Sequence, residues 1–540
     1  MSLRFSKHSR KIWFVTMFGR KAMSKLSYRR NKKTGVTYVY SIEKSYWDKD
    51  KKSPRNKQVC LGKLNAKTGE IIPSKRRHKI VERAVSASPG VTATSRVAGP
   101  YVLLEKITHD HCLDKLLKKC FSGKWKLMLS LVYFLVHRGV ALSRAEPWSK
   151  SCLHPFNEPI ASQRISELLK EVSEDERQRF LAIWLERVLE GDYLCYDVTS
   201  VSSYAKRNEY THYGYNRDNE HLEQINLAML FGQNSQLPVY YRRTPGNISD
   251  VATLKTTVKS LGFLGADSIH LVLDKGFYSI ANIDELYRRH HKFTIALPIG
   301  RKWVEDYLVK HRDNIAFPTN YLEIEKNEAL YAVTELHKWG QNKHRGYLHL
   351  YYSAEHAASD FDCFTRKLIS YRNELLEGRP VQDNEDYYRR YFIVRETPKR
   401  GLKVDYNEEE ILKYRNCYSG FFCILSNKIK DAAEALKVYR NKDMVENCFD
   451  DLKNQLDMKR LRVHSAAAMD CRLFIQFLSL IYISAIRNTI QTDSKLKHLT
   501  VREVMEEMET LTRIKYSNHY GEVFTEASPM QRHYHEDIRL

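Results

Sequence analysis

The chain has 540 residues, with 88 Lys and Arg against 65 Asp and Glu, a formal net charge of +23. That length leaves ample room for several domains with real cores. Its ten cysteines show no C-x-x-C and no paired spacing, which speaks against a disulfide framework and for reduced thiols in a cytoplasmic protein. The longest apolar run, Leu473 to Ile486, carries Gln476 and reads as a buried helix too short to cross a bilayer, so no membrane partner is expected.

The charge is concentrated at the start. Residues 1–100 hold 25 Lys and Arg against 5 Asp and Glu, so a net +20 sits in the first fifth of the chain. Such asymmetry marks residues 1–85 as a basic module for a polyanion, nucleic acid being favoured. Arg29 and Arg30, with Lys32 and Lys33, run into a Thr34-Gly35 turn. Val36, Tyr38, Tyr40 and Ile42 then alternate with Thr37, Val39 and Ser41 at strand period. A small basic sheet of about three strands is expected, with Arg29 and Arg30 among the DNA contacts. Residues 80–100 have the composition of a linker. Residues 101–190 turn helical, and Ser173 with Glu176 predicts a capping box.

From Tyr193 the pattern becomes three strands, helix, strand, helix, strand, which predicts a mixed sheet with helices packed on it. Asp197 lies near the end of the first strand and Asp274 at the end of the fourth. If those strands are neighbours and parallel, both carboxylates emerge together and repel unless a divalent cation neutralises them. Each taken alone is also an ordinary turn former. Residues 301–415 are too long for a loop and predict a mainly β insertion, with strands over 330–336, 347–352 and 388–394 and a helix over 354–377. Residues 419–426 return as a buried strand.

Asp431 to Arg460 reads as one helix. Tyr439, Lys442, Glu446 and Lys453 are spaced by three, four and seven residues, which keeps them on one face. Val445, Phe449, Leu452 and Leu456 form a second stripe that seats the helix on a core. A carboxylate flanked by cations and a hydroxyl suits a metal site facing a phosphate, although Lys442 and Glu446 also fit a solvated ion pair. Residues 491–540 are charged and read as a mobile tail.

Taken in order, these pieces resemble the DDE transposases of bacterial insertion sequences, the group with a Y-x2-R-x3-E-x6-K signature. Here the signature stands as Tyr439, Lys442, Glu446 and Lys453, with lysine where that group usually has arginine. The other matching pieces are the strand carrying Asp197, the Pro245-Gly246-Asn247 turn with Asp250, Asp274-Lys275-Gly276-Phe277, and Ser419-Gly420-Phe421-Phe422. Together they span roughly 190–490. The resemblance implies an α/β (α+β multidomain) chain. Its ribonuclease H-like catalytic domain, a mixed five-stranded sheet with flanking helices, covers 191–300 and 416–490 and is interrupted by the insertion at 301–415. The small basic β module and the helical module precede it, and the tail follows. It further implies that Asp197, Asp274 and Glu446 are catalytic and hold two Mg2+ (or Mn2+) ions for in-line attack of water or a 3′-OH on a phosphodiester. Tyr439, Lys442 and Lys453 would contact DNA phosphates. The implied partners are element ends and target DNA, with a homodimer assembled on two ends beside the bacterial nucleoid. A nuclease without strand transfer and an inactive DNA-binding regulator stay open as alternatives.

Overall fold

The computed structural model describes residues 26–48, 52–65, 68–73, 92–189, 191–205, 208–266, 268–323, 329–398, 401–517 and 521–534. The basic start and most of the expected linker lie outside the described residues. The chain divides into two units, Met1–Thr92 and Ala93–Leu540.

The first unit holds an antiparallel sheet of four strands in chain order: β1 (Leu26–Arg30), β2 (Thr37–Asp48), β3 (Ser53–Leu64) and β4 (Ile71–Pro73). The β1–β2 turn forms because the Asn31 carbonyl side chain accepts the Lys33 N–H at 2.9 Å and Gly35 adopts φ +66°, a left-handed geometry that glycine takes without penalty. Val39 is fully buried, while Arg29 and Arg30 are exposed on β1.

In the second unit β5 (Ala93–Val97) precedes a run of helices, followed by β6 (Tyr193–Ser203), β7 (Gln224–Gly232), β8 (Pro238–Pro245), β9 (His270–Leu273) and β10 (Lys292–Leu297). Then come β11 (Tyr321–Leu322), β12 (Leu330–Trp339), β13 (His344–Tyr352), the hairpin β14 (Phe392–Thr397) and β15 (Gly401–Tyr406), β16 (Phe421–Ser426) and β17 (Arg460–Leu461). The main sheet has the order β11-β12-β13-β16-β10-β9-β6-β7-β8, with β17 beside the far end of β6. β6, β7 and β8 form an antiparallel meander, whereas β6, β9 and β10 are parallel.

The sheet is therefore wider than the five strands expected, and the insertion is not a mainly β body of its own. β11, β12 and β13 leave it to extend the main sheet through β16. The cause is burial on both faces. Leu348, Leu350, Cys423 and Leu425 join the central core, while Leu330, Tyr351 and Ile424 pack on Ala432 and Leu436 on the other side. What remains of the insertion is largely helical: Ala354–Leu376, Glu385–Tyr391 and Glu408–Cys417 surround the β14–β15 hairpin. Phe364, Leu368, Tyr388, Tyr391, Phe392 and Val404 give it a small core.

The helices of residues 101–190 share the core of the sheet. The Trp184 indole donates to the Pro238 carbonyl at 3.0 Å, and Ser173 with Glu176 forms the capping box. The apolar run near Leu473 belongs to a longer helix, Ala466–Thr492, whose 27 residues are long and apolar enough to cross a membrane. Its apolar window is 94% buried within the protein, so it is the central core helix, packed on the Trp125–Arg138 helix and β8. The described residues of the expected mobile tail are folded. Thr500 and Glu503 box the Val501–Met508 helix, and β18 (Thr512–Tyr516) pairs with β5 on one side and β19 (Glu522–Phe524) on the other. Ala93–Val97 is thus a strand, although its composition reads as linker.

Candidate active site

The site is built where the middle of β6 passes the carboxyl end of β9; Asp197 stands midway along β6 rather than near the strand end as expected, because the strand runs on to Ser203. The parallel register of the two strands pairs Tyr196 with Leu273, so the next residues along each strand, Asp197 and Asp274, fall side by side. Asp197 is half-buried, and its Oδ1 accepts the adjacent Val198 N–H at 2.7 Å. Burial pushes its carboxyl up to about 6, with Asp274 adding to the rise while the Val198 N–H, Arg217 and Lys442 oppose it. Asp274 caps the turn that follows β9, accepting the Lys275 N–H at 2.8 Å. The same Oδ1 accepts the Tyr439 hydroxyl at 2.8 Å. Burial first, then the charge of Asp274, raises the Tyr439 phenol above its ordinary range.

The segment that carries Glu446 is broken where one helix was expected. Helix Ala432–Arg440, capped by Asp431, ends at a tight turn, a second helix spans Asp443–Asp450, and a π turn covers Asp451–Gln455. The break has a local cause. Gln233 donates its side-chain N–H to the Val438 carbonyl at 2.6 Å, occupying the acceptor that the Lys442 N–H would use in a continuous helix. Lys442 bonds instead to the Tyr439 carbonyl at 3.1 Å, and Val445 to that of Lys442 at 2.9 Å, a local 3₁₀ winding. Farther on, Arg487 grips the Asp451 carboxylate at 2.5 and 2.6 Å, and the Leu456 N–H reaches the Asp451 carbonyl at 3.1 Å.

These breaks sort the expected residues. Tyr439, Lys442 and Glu446 stay together, the Lys442 ammonium donating to Glu446 Oε1 at 2.9 Å. Lys453 does not join them. It pairs with Asp218, donating to both carboxylate oxygens at 2.9 and 2.8 Å. Arg29 and Arg30 lie in the other unit. Two neighbours that the sequence did not single out for roles are Arg217 and Asp250, ion-paired at 2.8 Å and close enough for Arg217 to act on Asp197. Asp250 stands in the quoted Pro-Gly-Asn turn motif. No periodicity marks Arg217, which comes from the irregular loop between β6 and β7.

The donors suit a hard divalent cation in kind, being carboxylate oxygens, with two side by side across adjacent strands and one of these raised by burial. Among the described residues no three carboxylate, histidine or cysteine side chains gather closely enough to share an ion. Glu446 is turned to Lys442 rather than to the aspartates.

A family model described as the transposase DDE domain matches residues 190–482. That is more than half of the chain, and the chain belongs to this family of transposases, enzymes that cleave nucleic acid. No curated protein matches it. Among solved structures it is similar to a piggyBac transposase in a synaptic complex with hairpin DNA. The identity is 10%, the match covers 80% of this chain and 74% of that one, and the TM-score is 0.34.

Proposed function

We propose that this chain is the DNA transposase of a bacterial insertion sequence, which binds the element's ends, cleaves phosphodiester bonds and joins the 3′-OH ends to target DNA. The observation that carries the reading is the β6–β9 register, which sets Asp197 beside Asp274 and links them through Tyr439 and Lys442 to Glu446. The strand order β8-β7-β6-β9-β10, an antiparallel meander followed by two parallel strands, supports a ribonuclease H-like core.

Asp197, Asp274 and Glu446 would hold two Mg2+ or Mn2+ ions. When bound, such ions activate the attacking oxygen and stabilise the leaving one. The chain's own groups do the rest. Tyr439 orients the Asp274 carboxylate, and Arg217 with Asp250 buttresses the Asp197 side. Lys442 supplies a cation for a strand phosphate, as a point charge rather than the planar fork of an arginine. Lys453 reaches DNA only by giving up Asp218. Arg29 and Arg30, exposed on β1, suit backbone phosphates, and joining two ends calls for two copies of the chain acting together in the cytoplasm.

The test is Mn2+-dependent cleavage and joining on DNA that carries the inverted repeats flanking the gene. Cleavage without joining would make the chain a nuclease. Binding without cleavage would make it a regulator, and in either case the transposase reading falls.

A further inference from the structure

Lys442 stands among more negative charge than any phosphate contact needs. Its ammonium bonds Glu446 at 2.9 Å and lies 3.8 Å from Asp443. It also acts electrostatically on both Asp197 and Asp274, and it sits 5.8 Å from the centre of the Tyr439 ring, whose hydroxyl holds Asp274. The backbone leading to it is held by Gln233, from the turn after β7, on the Val438 carbonyl at 2.6 Å and by the Cys195 thiol of β6 on the Asn441 carbonyl at 3.8 Å. Burial pulls its pKa down, but the Glu446 bond with the charges of Asp274, Glu446 and Asp443 outweighs burial and leaves it raised.

We propose that Lys442 is an internal counter-ion that shares one set of carboxylates with the catalytic divalent cation, so that loading the site is an exchange in which Lys442 gives up Glu446. This deepens the transposase reading and rests on it. A divalent ion held by Asp197 and Asp274 would add positive charge near an ammonium that already acts on both carboxylates, and like charges repel. Glu446 completes such a site only after its bond to Lys442 is released. The released ammonium, still tethered beside the ion, faces the incoming phosphate. A lysine suits this role because it is a compact charge on a mobile stem.

The experiment measures Mn2+ affinity of the full chain by electron paramagnetic resonance, together with melting temperature in a chelator. Lys442→Met removes the competing charge, and roughly tenfold tighter Mn2+ binding is expected from the loss of one unit charge at close range. The same variant should melt lower in chelator and regain the difference when Mn2+ is added. Lys442→Arg keeps the charge and should bind Mn2+ as the wild type does. Should Lys442→Met fail to fold, Lys442→Gln serves in its place. Unchanged or weaker Mn2+ affinity in the charge-removed variant overturns the exchange. Asp197→Asn separates the two readings. If it binds Mn2+ as well as the wild type, the ion does not sit on these acids and the active-site reading itself is at fault.

Discussion

Residues 431–446 and residues 450–460 come from one stretch with a single helical period, yet they meet the sheet in different ways. The first part turns its polar residues towards the end of β9, where Tyr439 holds Asp274 and Lys442 holds Glu446. The second turns its lysine away, and Lys453 locks onto Asp218 with both oxygens engaged. What separates them is where the helix is unwound. The tight turn at Asn441 is fixed by Gln233 from the turn after β7, and the π turn at Asp451 by Arg487 from the core helix. A helix face is thus defined by tertiary partners as much as by spacing.

The sharpest way to break this comparison is to remove the acids of the first part's site. Asp197→Asn, Asp274→Asn and Glu446→Gln should each lower metal-dependent strand cleavage by roughly a thousandfold or more while DNA binding persists. A variant that cleaves at the wild-type rate removes that residue from the site.

Next in size is the second part. Lys453→Ala leaves Asp218 without its partner in a mostly buried place, the two side chains being 12% and 23% exposed. A stability loss of about 1–3 kcal/mol is expected, read by denaturant unfolding. The double variant Lys453→Met with Asp218→Asn should recover much of it, and Mn2+ affinity should not change. Loss of Mn2+ binding in Lys453→Ala would merge the two parts into one site.

A smaller effect comes from pH. Burial raises the Asp197 carboxyl from 3.8 to about 6, so between those values the folded chain binds more protons than the unfolded one. Ionisation therefore costs stability as pH rises through this window, and the cost is complete above about 6. In chelator, Asp197→Asn should raise stability at pH 7.5 by roughly 1–2 kcal/mol and change little at pH 4, seen as a difference between two thermal melts. An equal shift at both pH values would mean that the effect is not ionisation.

Smallest of all, and a control outside both parts, Arg29→Ala with Arg30→Ala should change stability by less than about 0.5 kcal/mol, since both are exposed. It should reduce the salt slope of DNA binding by about two. An unchanged slope would remove β1 from the DNA contacts.

Much of this was legible in the residues. Apolar runs leading to Asp197 and Asp274 located the two strands, although β6 continues to Ser203 and leaves Asp197 midway along it, and the order of elements predicted a mixed sheet. The spacing of Tyr439, Lys442 and Glu446 survived because the distortion at Asn441 is small. Lys453 was not legible, because Arg487 acts from 36 residues away and leaves no trace in a local period. Alternation found β12 and β13 but could not say which sheet they join, since an isolated sheet and an extended one bury the same alternate residues. β5 was missed because Ala93–Val97 is too short and too polar to announce a strand whose partner lies at the other end of the unit.

That pairing matters for how the protein comes into being. β5 and β18 meet across a separation of 421 residues, as in the contact of Thr94 with Lys515. Closing so large a loop is slow and entropically costly, and it must wait until Thr512–Tyr516 have left the ribosome. Until then the first strand of the unit has an open edge, a template for pairing with another nascent chain. Newly made protein is therefore exposed to misassembly in the interval before Thr512–Tyr516 emerge, and a chain truncated before Thr512 never closes that edge.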